Sequence, residues 1–283
     1  MMKNWVRRIW YRINPKHKDR LFCTIFGKEK YKRYALELYN AVNGSSYSDL
    51  RDLEIITLTN AVYIKMKNDV AYLVSGNIAI YEHQSSVNLN MPLRGFMYLG
   101  ELYSKILKRD GAGIFNSRLV KIPTPQYLVF YNGTKDLPER SKLRLSDAFI
   151  NPRADNDYEF TATVYNINLG KNEKLLDSCK PLKGYSTFVD MVRRNSEIMP
   201  PERAVDDAVR ECIDNNILKD VLSEERSAVM LEMLTTFDEK VYEEGLREEG
   251  REEERVNTER ERKRADDAEA ELARYRAKYG DLQ

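Results

Sequence analysis

The chain has 283 residues, 32% charged and 42% hydrophobic, and 46 basic residues balance 45 acids to leave a formal net charge of +1. That length holds one large or two small domains around a moderate core, and no apolar run approaches the roughly 18–20 residues of a membrane-spanning helix. Three distant cysteines (Cys23, Cys179, Cys212) and two histidines (His17, His83) argue against a disulfide framework, a zinc site or a histidine-based triad, and they fit a reducing cytoplasm.

Residues 1–14 carry Trp5, Val6, Ile9, Trp10 and Ile13 at helical spacing, interrupted by Arg7, Arg8 and Arg12. This reads as a basic amphipathic arm rather than a signal peptide. The arm can pack on the domain or meet a membrane surface or a nucleic acid. Residues 1–40 hold eleven lysines and arginines against Asp19, Glu29 and Glu37. Such a basic segment would attract a DNA backbone; residues 28–33 can equally be the solvated face of a helix. A short helix is expected over 19–26 with Asp19 as N-cap. A longer one follows over 28–42, with an apolar stripe of Tyr31, Tyr34, Ala35, Leu38 and Val42 and a stop at Gly44.

Residues 53–66 alternate weakly and lead into the most informative segment. Around Ser75-Gly76 the sequence reads as a β-hairpin. With those two residues as the loop, Val74 faces Asn77 and Asp69 falls opposite Glu82. Period-two alternation then puts Asp69, Ala71, Leu73, Ile78, Ile80, Glu82 and Gln84 on one face and turns His83 to the other. Opposed residues lie roughly 4.5–5.5 Å apart. Two carboxylates at that separation repel, and a divalent cation with oxygen ligands would offset the repulsion. Two ordinary polar residues near a strand end is the plainer reading.

Pro92 opens a helix expected to run to Arg109, with Leu93, Phe96, Leu99, Leu102, Tyr103 and Ile106 facing inward. Arg94 and Tyr98 share one face; they could clamp a phosphate, or Arg94 could pair with a site carboxylate. Residues 126–131 read as a buried strand, 135–157 as a polar irregular excursion, 158–168 as a strand and 181–194 as a helix. Residues 201–214 and 218–242 read as helices with apolar stripes, packed on the core or on a second copy of the chain. The Glu/Arg-rich remainder reads as an exposed helix without sustained heptads. The organisation expected is an arm (1–14), a main domain (15–198), a helical region (199–242) and a charged tail (243–283).

Asp69 followed by Glu82-His83-Gln84 resembles the PD-(D/E)XK nuclease signature. More closely, the chain resembles the recombination-promoting nuclease / putative transposase family of that superfamily. The matching stretches are Asp19 to Gly27, Asn68-Asp69, Tyr81 to Ser86, Asn90 to Arg94 leading to Tyr98, and the run around Glu243 to Arg255. The resemblance implies an α/β fold: a PD-(D/E)XK restriction-endonuclease-like core with a mixed central sheet flanked by helices, plus a helical C-terminal extension. It implies Mg²⁺ (or Mn²⁺) held by Asp69, Glu82 and the backbone carbonyl of His83, with an acid from an early helix, Asp19 or Glu37, as further support. Gln84 stands where many members carry lysine. A carboxamide orients water and donates neutral hydrogen bonds, without the lysine charge. The activity implied is metal-dependent cleavage of DNA in recombination or transposition. The alternative is a weak or inactive nuclease-fold module that binds DNA or a protein, with C-terminal helices able to pair with a second copy.

Overall fold

The computed structural model describes residues 20–56, 69–115, 117–151 and 158–230, with residues 258, 262 and 274. The chain divides into two compact units, Lys16–Thr236 and Met1–Pro15 with Phe237–Gln283; the sheet and the helices that cover it belong to the first. The arm, the N-cap proposed for Asp19 and nearly all of the charged tail lie outside the described residues.

The turn at Ser75-Gly76 sets the sheet. Both residues have positive φ, 45° and 76°, the backbone of a two-residue turn whose twist matches that of the strands it joins. It links β2 (Asp69–Val74) to β3 (Asn77–Gln84). The register is the one the turn implies: Val74 pairs with Asn77 and Asp69 with Glu82. On the other side of β2 lies β1 (Leu53–Ile56), antiparallel to it; residues 57–66 of the expected segment lie outside the described residues. Helix α3, which follows helices α1 (Arg20–Gly27) and α2 (Lys32–Asn43), covers Met91–Arg109. It carries the chain over the sheet to β4 (Thr124–Tyr131), parallel to β3. Strand β6 (Thr161–Asn166) runs parallel to β4, and β5 (Arg140–Arg144) closes the edge antiparallel to β6. The result is a six-stranded mixed sheet in the order β1-β2-β3-β4-β6-β5.

Helices cover both faces. On one, α3 packs Met91, Tyr98, Leu99, Leu102 and Ile106 against Ala71, Ile78, Ile80, Tyr127, Val129, Ala162 and Val164. On the other, Phe22 and Phe26 of α1 meet Phe130 and Tyr72: the Phe22 and Phe130 rings lie 5.6 Å apart, and Tyr72 donates to the Phe26 carbonyl at 2.7 Å. Helix α2 closes on the same face, where Asn43 donates to the Tyr81 hydroxyl at 3.2 Å. After the short α4 (Glu173–Ser178), α5 (Lys180–Ser196) joins this layer and supports α6 (Pro201–Asp214) and α7 (Lys219–Glu224). Ala204, Val205, Ala208 and Val209 of α6 are buried in the chain itself. No described helix is long and apolar enough to cross a membrane.

Several expectations change. The segment 135–157 contains strand β5 and a short 3₁₀ turn, Leu145–Ala148; only Leu143 is apolar in a strand otherwise made of Arg140, Ser141, Lys142 and Arg144. The helix expected over 218–242 is interrupted: α7 ends at Glu224, the chain is helical again over 226–230, and 231–242 lie outside the described residues. The inward face of α3 is rotated: Leu93 and Phe96 are 44% and 41% exposed, while Met91, Gly95 and Tyr98 are buried. Close contact at Gly95 fixes that rotation. A Cβ there would lie 2.4 Å from two ring carbons of Tyr127, so only a bare backbone approaches the ring this closely.

The basic residues of 28–33 are tied down. Lys28 pairs with Glu225 at 2.5 Å, Lys30 with Glu224, and Arg33 with Asp220 at 2.6 Å. Tyr31 and Tyr34 add hydrogen bonds of 2.8 Å to Glu224 and Asp220. These cations tie the start of α2 and the turn before it to α7 and Glu225; the Lys30 and Arg33 side chains stay 60% and 63% exposed, so the face is both solvated and ion-paired.

Candidate active site

Strand β3 ends with Glu82, His83 and Gln84, and alternation sends them to different layers. Glu82 and Gln84 face α3. Asp69, the first residue of β2, is the ladder partner of Glu82; its side chain lies outside the described residues. Pro92 in the first turn of α3 leaves the backbone amide of Arg94 to bond the Asn90 carbonyl at 3.0 Å. From that first turn Arg94 reaches down to β3. Its Nη2 donates to Glu82 Oε1, and Nη1 lies 3.7 Å from Met91 Sδ. Gln84 Nε2 donates to the same Oε1 at 3.1 Å. Tyr127 on β4 donates its hydroxyl to Oε2 at 2.5 Å. One carboxyl group thus receives a guanidinium, an amide and a phenol, and its side chain is 2% exposed against 29% for Arg94.

Burial pushes the Glu82 carboxyl above its ordinary value, against the opposing pull of Arg94, Tyr127, Gln84 and His83. For Arg94 burial works the other way, but the Glu82 charge and the Tyr98 hydroxyl prevail and the guanidinium is held more firmly protonated. A raised acid binds its proton in the fold to higher pH than in the unfolded chain. Between the ordinary value of 4.5 and the raised one, the folded state therefore holds more protons, and stability falls as pH rises. Glu82→Gln removes that dependence. Unfolding titrations from about pH 4 to about pH 8 are expected to show wild type losing stability relative to the variant. A relative gain would mean that the donors outweigh burial and the acid is lowered.

The remaining sequence-derived candidates divide between the two layers. His83 points to the layer opposite Glu82, as alternation requires, with Nε2 3.0 Å from the Tyr185 hydroxyl and its ring 5.4 Å from Phe22. Tyr98 is buried one turn from Arg94 and hydrogen-bonded to it. Glu37 on α2 accepts from the backbone amide of Lys180 at 2.8 Å. It therefore caps the first turn of α5, favourably placed for a carboxylate against that helix dipole, on the face away from Glu82. Tyr127 was not legible in the sequence as a site residue. Nor was the polar end of the parallel strands, where Asn132 donates its backbone N–H to the Gln84 carbonyl at 2.8 Å and Arg193 of α5 donates to Asn132 Oδ1 at 2.8 Å and Asn168 Oδ1 at 2.9 Å. The Asn132-Gly133 stop after a buried strand was the available signal for that end.

A hard divalent cation would need oxygen ligands with free lone pairs. Residue types at 69, 82 and 84 suit one, but the arrangement around Glu82 does not. Its oxygens already accept three hydrogen bonds, one from a cation, and an ion and the guanidinium exclude each other there. Among the described residues no three His, Cys, Asp or Glu side chains converge as a metal-holding group. Comparison of the chain with family models, with curated proteins and with solved structures finds no match.

Proposed function

We propose that the chain is a DNA endonuclease of the PD-(D/E)XK type, related to the recombination-promoting nucleases, with its site at Asp69, Glu82 and Gln84. The observation that carries this reading is the ladder pairing of Asp69 with Glu82 at the end of a hairpin, with Gln84 bonded to the same carboxyl group. A six-stranded mixed sheet with helices on both faces agrees with the core such an enzyme needs. Mg²⁺ or Mn²⁺ is the cofactor this type of site uses, supplying charge to stabilise a phosphate under attack. The reading requires Arg94 to release Glu82. Purified protein with Mg²⁺ or Mn²⁺ is expected to nick supercoiled plasmid, and Asp69→Ala or Glu82→Ala to reduce nicking to background. Variants that cut as well as wild type would place the chemistry elsewhere.

A second reading rests on one observation, the filling of Glu82 by Arg94, Tyr127 and Gln84. A carboxyl group so satisfied is a structural tie, and the chain would be a nuclease-fold module that binds DNA or a protein without cutting. Calorimetry separates the two. No heat with Mn²⁺, together with retained DNA binding, selects the module.

A further inference from the structure

The free edge of the sheet carries a second feature. Strand β5 is terminal in the strand order, and its alternation is unusual: Ser141 and Leu143 are half-buried, whereas Arg140, Lys142 and Arg144 are exposed. These three side chains share one face. Among the described residues none is paired with an acid, and Arg140 lies over the ring of Tyr165 at 5.2 Å.

The backbone of the same residues is also turned outward. Asn166 donates its amide to the Glu139 carbonyl, and Leu145 donates to the Phe160 carbonyl, both at 2.9 Å. In the β5–β6 register, where Arg140 faces Tyr165, these bonds make 139 and 145 hydrogen-bonded positions. Antiparallel ladders alternate bonded and non-bonded pairs. Residues 141 and 143 therefore bond β6, while 140, 142 and 144 present their N–H groups at the open edge. Cation and backbone donor coincide at each of three successive even positions. Alternate residues of a strand lie about 6.7 Å apart, close to the step between neighbouring phosphates of a nucleic-acid strand. Backbone N–H groups and arginine or lysine side chains are the usual phosphate contacts.

We infer that β5 is a nucleic-acid backbone contact, in which Arg140, Lys142 and Arg144 each meet one phosphate. The inference deepens the DNA-directed reading above and rests on it for the choice of polyanion. It is independent of cleavage. Its competitor is edge protection, since charged side chains on an edge strand also block pairing with other strands. That same effect disfavours an added peptide strand as the occupant.

The test is the salt dependence of binding of the full chain to a fluorescent DNA duplex in EDTA, so that cutting plays no part. Each phosphate contact contributes about 0.9 to the slope of log affinity against log salt. The triple variant Arg140→Gln/Lys142→Gln/Arg144→Gln is expected to lose about 2.7 of that slope, whereas the charge-preserving Arg140→Lys/Arg144→Lys is expected to keep it. An unchanged slope in the glutamine variant overturns the inference, whether or not the protein nicks plasmid. So does a glutamine variant that self-associates while its soluble fraction binds DNA normally, which would leave edge protection as the role. Wild type that binds anionic vesicles but not DNA overturns it as well. A slope loss in a protein that never cuts would leave the inference standing and reject only the endonuclease reading.

Discussion

Arg94→Met is expected to lower the unfolding free energy by about 3–5 kcal/mol, nearer the lower figure because the arginine side chain remains 29% exposed. The cost does not measure the pair's own strength. It comes from Glu82, which stays 2% exposed in its side chain and loses its guanidinium donor. Left with Tyr127 and Gln84, the carboxylate must take up a proton or remain buried and under-compensated. The double variant Arg94→Met/Glu82→Met removes both charges and fills much of the same volume. Buried pairs exchanged for apolar groups are often neutral in stability, so the double variant is expected to recover most of the loss. Urea unfolding of the full chain gives both numbers, and the single variant Glu82→Met closes the cycle that yields the coupling energy. A double variant as unstable as the single one would show that Arg94 acts through its packing on Met91 and Tyr98, not through Glu82.

The hairpin was legible because a local rule decides it. Ser75-Gly76 fixes the loop, the loop fixes the register, and the register places Asp69 opposite Glu82 without any knowledge of the rest of the chain. Ala71, Ile78 and Ile80 on that face are buried under α3, and Val70, Tyr72, Ala79 and Tyr81 on the other face are buried as well. Tyr127 was not legible by the same means. It lies forty-five residues from Glu82, and its pairing with β3 is parallel, so a whole helix intervenes and no turn sets the register. Strand β5 escaped because its pattern alternates charged residues with one serine and one leucine. An edge strand with little core to face carries little hydrophobic signal.

Electrostatic partners were the least legible. Glu37 stands one step off the apolar stripe of its helix, a position that suits a surface residue, a site acid or a cap equally. Only the arrival of Lys180, 143 residues away, decides for the cap. Lys28, Lys30 and Arg33 looked like half of a basic patch because their acids, Asp220, Glu224 and Glu225, belong to a segment almost two hundred residues on. Charge counted along a segment says nothing about charge folded back against it. The cations of β5, without an acid partner among the described residues, are a stronger indication of a polyanion than the larger local excess in residues 1–40, part of which is internally neutralised.

The rotation of α3 turned on a residue with no side chain to notice, and Gly95→Ala is expected to reverse the sign that helix propensity gives it. An exposed glycine in a helix interior gains about 1 kcal/mol on replacement by alanine. At Gly95 the new methyl would sit 2.4 Å from the Tyr127 ring. That ring cannot swing aside freely, because it is buried and its hydroxyl is bonded to Glu82. Overpacking of this kind costs about 1–3 kcal/mol, and a displaced phenol forfeits a hydrogen bond to a carboxylate worth about 1.5–3 kcal/mol. The penalties exceed the propensity gain, and a net loss of about 1.5–5 kcal/mol is expected. Trimming the ring in the same background, Gly95→Ala/Tyr127→Leu, relieves the clash but not the lost hydrogen bond, so recovery should be partial. Urea midpoints of the two variants against wild type decide the matter. A Gly95→Ala protein more stable than wild type would show that α3 does not rest on Tyr127. The Glu82 carboxyl would then owe its burial to something other than the close approach of that helix.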